Sequence, residues 1–139
     1  MNQITPKESF HTILYFWKDS LINIQKSYHL SDDECEFVSI ALSNYIINFF
    51  KDVFQSAYEY SMEEYGANST AKTFMFFSYN YNNFNKLSKT DIDIVYKLSN
   101  IGVLDVICNQ EDQFFVLSKN CFSFLSRLEV NQLFNKQEN

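Results

Sequence analysis

An α+β fold, mostly helical, is predicted for this chain by three observations. Glycine and proline are scarce, with 2 Gly and 1 Pro in 139 residues, which argues against architectures built on many tight turns. Apolar residues recur at three- and four-residue spacing over most of the length. Between Val103 and Leu117 the period changes, and two short β-favouring runs flank a polar turn. The expectation is about five helices with a small two-stranded hairpin before the C-terminal helix. At this length about 70% of the unfolded surface can be buried, enough for a core without disulfides or metal.

Helix starts are signalled by capping residues. Thr5-Pro6-Lys7-Glu8 offers a cap, a proline at the first helical position and a carboxylate that returns to the Thr5 amide. The stripe Phe10, Leu14, Trp17, Leu21, Ile24 and Tyr28 follows on one face, and it would serve a core or the seam of a homodimer through this first helix. Ser31-Asp32-Asp33-Glu34 repeats the capping logic, with acids beside the positive helix end. From Phe37 to Phe54 apolar residues occupy every face, so this stretch is expected at the centre of the molecule. Residues 32–65 read as one helix or as two with a break near Lys51 to Gln55, and Gly66 stands where a helix stops.

Ser69 or Thr70 is expected to cap a third helix bearing Phe74, Phe77, Tyr81 and Phe84, although Phe74, Phe76 and Ser78 also fit strand alternation. Ser88-Lys89-Thr90-Asp91 opens a fourth helix, with Ile94, Val95, Leu98 and Ile101 inward and Gly102 closing it. Val103–Cys108 and Gln113–Leu117 form the hairpin around Asn109 to Asp112. Ser118 caps a last helix with Cys121, Phe122, Leu125, Leu128, Val130 and Leu133. No repeat or linker marks a boundary, so the reading is a single domain over 1–139, helical over 1–87 and helix–hairpin–helix over 88–134.

The order of elements from about Thr73 to Leu128 resembles the winged helix-turn-helix family. Phe84 to Asp91 looks like the end of a positioning helix, a turn and the start of a recognition helix, Leu98 to Leu104 like the exit into the wing, and Leu117 to Cys121 with Phe124, Leu125 and Leu128 like the strand-to-helix step after it. That resemblance implies a DNA-binding transcriptional regulator with Lys89, Thr90 and Lys97 at the nucleic acid. The chain departs from the pattern in its charges. Asn109-Gln110-Glu111-Asp112 is an acidic wing turn, Asp91 and Asp93 sit at the start of the recognition helix, and Cys121 replaces a glycine. Binding to phosphates needs a clustered basic face, and the guanine contact most often made needs Arg.

Charge points elsewhere. The formal net charge is −6, and Arg127 is the only arginine among 11 basic residues, a balance suited to a protein that meets a basic partner. His11, His29 and Cys35, with Asp32, Asp33 and Glu36 near, have no metal-ligand spacing, and no cofactor is expected. Cys121 in a first helical turn has the dipole that lowers a thiol pKa, but it falls on an apolar face with Phe122, Leu125 and Leu128. Glu59, Glu63 and Glu64 could pair as carboxylates or simply face water. No phosphate loop exists, so no catalytic residue is assigned.

The segment Tyr58, Glu59, Tyr60, Glu63, Glu64 and Tyr65 combines contact area with steering charge, or its tyrosines merely pack with their hydroxyls in water. The expectation is a small acidic non-catalytic protein-binding module, of the kind found among immunity proteins, inhibitors and phage-encoded antagonists, masking a basic surface. The alternative is the winged-helix regulator. Three cysteines without paired spacing, no signal-like start and no apolar run of about 18 residues suggest a cytoplasmic protein away from membranes.

Overall fold

The computed structural model describes residues 5–77 and 81–126. Helix α1 (Pro6–Tyr28) begins as its sequence demands. Thr5 Oγ1 accepts from the Glu8 amide, and the Glu8 carboxylate accepts from the Thr5 amide. Helix α2 (Asp32–Phe49) opens with the same box between Ser31 and Glu34. Its residues 37–43 are all buried, and it touches α1, the next helix, the hairpin and the last α-helix. The helix that is apolar all round is therefore the central one.

Residues 32–65 are two helices. The chain breaks at Phe50, whose φ of −131° and ψ of 42° leave the helical region. The break buries the Phe50 ring, which meets Phe16 at 5.9 Å and Tyr45 at 6.1 Å. Helix α3 (Lys51–Thr73) then runs back along α1. Gly66, at φ 85° and ψ 172°, interrupts it, so 51–65 and 67–73 are separate rods and five helical rods are present among the described residues. Across that kink the Ser61 and Thr70 hydroxyls share a buried hydrogen bond of 2.7 Å.

The expected third helix over Phe74 to Phe84 does not form. Thr73 ends α3, Met75–Phe77 is a 3-10 turn, and a second 3-10 turn covers Phe84–Lys86, while residues 78–80 lie outside the described residues. Tertiary packing overrides the periodicity. Phe74 packs edge-on to Phe54 and Phe77, and Phe84 meets Phe115, so these rings are buried by short turns rather than by one straight rod. Asn83 makes an isolated antiparallel bridge to Phe114.

Helix α4 (Lys89–Asn100) is boxed by Ser88 and Asp91. It ends in a Schellman motif: Gly102 at φ 85°, its amide on Ser99 O (3.1 Å) and the Val103 amide on Leu98 O (2.9 Å). Strands β1 (Leu104–Asn109) and β2 (Asp112–Leu117) pair antiparallel with Leu104 opposite Leu117. The turn is tighter than expected, two residues instead of four, and Gln110 takes a left-handed φ of 56°. Ser118 caps the final described helix, which is a 3-10 helix over Lys119–Phe124. It ends early because the Phe124 carbonyl accepts from Asn23 Nδ2 (3.1 Å) and the Ser126 amide donates to Ser20 Oγ (2.9 Å). The expected positions Leu128, Val130 and Leu133 lie outside the described residues.

The core is one cluster. Ile13, Phe16 and Ile24 of α1 join Val38, Leu42 and Ile46 of α2, Val95 and Leu98 of α4, and Leu104 and Phe115 of the hairpin. All six residues of the α1 stripe belong to this cluster or pack against it. No helix among the described residues is long and apolar enough to cross a membrane.

Candidate protein-binding face

Helix α3 lies with Val53, Ala57 and Ser61 against the molecule, which turns the opposite side to solvent. Asp52, Gln55, Glu59, Met62 and Glu63 follow one another there at three-, four- and one-residue steps and are all exposed, with Glu64 exposed beside them. Glu59 accepts from Gln55 Nε2 at 3.1 Å, which holds its carboxylate along the helix. The one salt bridge among the described residues is elsewhere, between Lys97 Nζ and Glu34 Oε2 at 3.0 Å. Four carboxylates, Asp52, Glu59, Glu63 and Glu64, therefore stand along one helix without an ion pair among the described residues, and the exposed Lys51 beside Asp52 leaves them in excess.

The tyrosines divide. Tyr65 is 51% exposed and Met62 39%, and these give the face its apolar contact area. Tyr60 leans on Phe10 (5.4 Å) and Tyr65 (6.3 Å), and its partial burial raises the phenol pKa, with Tyr65 and Glu64 adding to the rise. Tyr58 packs on Phe54 and Phe74 and serves the core more than the surface. Asp52, Gln55 and Met62 belong to the same face and were not singled out from the sequence. Their spacing from Glu59 is helical, and that signal alone would have found them.

A second surface is apolar. Between α2 and β2 runs a groove of about 200 Å³ lined by Ala41, Tyr45, Phe49, Val116 and Phe122 among others. Phe49 is 65% exposed and lies tilted against Tyr45 at 4.7 Å, and Tyr45 meets Phe122 at 5.2 Å. Phe122 was expected on the inner face of the last helix, but the 3-10 twist turns it outward while Cys121 goes in.

No protein-family model, curated protein or solved structure matches this chain. Its chemistry is read from its own residues.

The residues expected at nucleic acid occupy a mixed face. Lys89 and Thr90 are exposed at the start of α4, but Asp93 is exposed on the next turn and Lys97 is held by Glu34. At the hairpin tip Glu111 and Asp112 are exposed.

The metal candidates do not converge: no group of three such ligands comes together among the described residues. His29 is the left-handed cap of α1 (φ 56°), Asp32 accepts from Gln25 Nε2, and Cys35 is buried. Cys121 is also buried, its thiol 3.4 Å from Val103 O. Burial pushes its pKa up to about 11; the Tyr28 hydroxyl pulls the other way and Asp105 adds to the rise. At neutral pH it is a thiol and not a thiolate nucleophile.

Proposed function

We propose that this protein is a non-catalytic binding module that docks its α3 face onto a basic surface of a macromolecular partner. The observation that carries this reading is the set of exposed carboxylates at Asp52, Glu59, Glu63 and Glu64 around Met62 and Tyr65, none of them ion-paired among the described residues. Fixed charge of one sign accelerates encounter with its opposite, and the apolar residues within the patch supply contact once water is expelled. Behind the face Tyr60 packs on Phe10 of α1 and Tyr58 on Phe54 and Phe74. An inhibitor or immunity protein works in this way, by covering a surface instead of transforming a substrate. The three unpaired thiols suit a reducing cytoplasm.

The test compares two baits, the wild type and the Glu59→Lys/Glu63→Lys/Glu64→Lys variant, in affinity capture with quantitative mass spectrometry. Basic proteins retained by the wild type and lost by the variant are the expected result, with the melting temperature nearly unchanged. Equal recovery by both baits, or no recovery by either, overturns the reading.

One observation favours a second reading. The Asn83–Phe114 bridge adds the stub of a third strand to the hairpin beside α4, although only the 3-10 turn Phe84–Lys86 stands where that family has its positioning helix. In that reading Lys89, Thr90 and Lys97 meet DNA, and the α1 stripe, packed into the core, is not the dimer seam. Binding of duplex DNA with a steep salt dependence would favour it, and no binding even at low salt removes it.

A further inference from the structure

The hairpin has two edges, and they are treated differently. The Ser118 amide donates to Val103 O at 3.0 Å, which makes 103/118 a pair that bonds across the ladder. In an antiparallel ladder such pairs alternate, so 105/116, 107/114 and 109/112 bond likewise. Backbone groups of residues 104, 106 and 108 therefore point away from β2, and that of Phe115 points away from β1. The Phe115 amide is indeed used outward, donating to Asn82 O at 3.0 Å, so Asn82 and Asn83 cover that edge.

Nothing among the described residues does the same for β1. The amides and carbonyls of Val106 and Cys108 have no partner there. Over 104–109 the strand carries no proline, lysine or bulge, the devices that protect an edge, and Asp105 is its single charge. Ile107 is 45% exposed on the outward face.

We propose that the outer edge of β1 pairs antiparallel with the β1 edge of a second copy of this chain, about a two-fold axis at Ile107. In that register Val106 bonds with Cys108 of the second copy, Cys108 with its Val106, and the two Ile107 side chains meet across a close non-bonded pair. A two-stranded hairpin becomes a four-stranded sheet.

The occupant is a second copy because the edge is self-complementary. Asp105 falls opposite Asn109 of the second copy, not opposite its own like charge. The two Asp105 carboxylates are offset by four residues, about 13 Å along the strand, beyond the screening length of about 8 Å at physiological salt. The acidic tips, Glu111 and Asp112, go to opposite ends of the paired strands. This contact uses neither the α3 face nor the α1 stripe.

Sedimentation velocity of the full chain over a concentration series tests it. A monomer–dimer equilibrium is expected, weakened about tenfold or more by Ile107→Lys, which sets two like charges face to face. In a Cys108→Ser background, Ile107→Cys should cross-link under mild oxidation much faster than Asp105→Cys. The triple Glu variant of α3 should dimerise as the wild type does, which separates this proposal from the proposed function. A chain monomeric at all concentrations, a dimer indifferent to Ile107→Lys, equal cross-linking at 105 and 107, or an edge that takes only unrelated extended peptides overturns it.

Discussion

Glu34 ties two helices with one carboxylate. It accepts from the Ser31 amide at 2.8 Å, closes the α2 cap and pairs with Lys97 of α4. The Ser31 bond first, then Lys97, hold its pKa below the ordinary carboxylate value. A carboxyl depressed in the folded state stabilises above its unfolded pKa of about 4.3, and that contribution disappears as pH falls through the folded value. Glu34→Gln should therefore cost about 1 kcal/mol in denaturant unfolding at neutral pH, and the difference should shrink as acid protonates the folded-state carboxyl. The cysteines sort by burial in the same way. Cys108 is exposed, while Cys35 and Cys121 are buried and their thiols are pushed up. Iodoacetamide should label Cys108 alone in the native protein and all three after denaturation, as read by mass spectrometry. Early labelling of Cys121 would contradict its placement.

At the scale of elements, two turns carry opposite backbone costs. Gly66 has open space around a built Cβ, yet its φ and ψ lie where essentially only glycine rests. Gly66→Ala should lose about 1–3 kcal/mol through the backbone alone, and calorimetry would show it. Gln110 holds a left-handed φ without the glycine that position favours, so Gln110→Gly should gain about 0.5–1 kcal/mol. Local signals of this sort made much of the fold legible in advance. The boxes at Thr5, Ser31 and Ser88 and the cap at Gly102 depend on residues within a turn of one another. The stretch after Thr73 was not legible, because Phe74 caps α3 and Phe77 and Phe84 take 3-10 turns to satisfy rings on α3 and β2 that are distant in sequence. The α3 face was half legible: its carboxylates declared themselves by charge, but Tyr58 and Tyr60 are claimed by Phe74 and Phe10 across helix packing that no local pattern reports.

For the whole molecule the governing quantity is unbalanced charge. A net charge of −6, with a single ion pair among the described residues, leaves the folded chain repelling itself. Raising salt from about 0.01 M to about 0.15 M shortens the screening length from about 30 Å to about 8 Å, so the melting temperature should rise. A fall would mean that attraction between charges outweighs repulsion in the native state. Against that repulsion the molecule is held by its core and by contacts between α1 and residues 124–126. Ser20 and Asn23 of α1 bind residues 126 and 124, across sequence separations of 106 and 101. Tyr28 sets its ring edge-on to Phe124 at 5.7 Å. A ribosome delivers α1 long before it delivers the residues that close over it. Until residues 124–126 have emerged, that flank of the first helix stays wet, and in the folded protein neither segment can peel away without releasing the other.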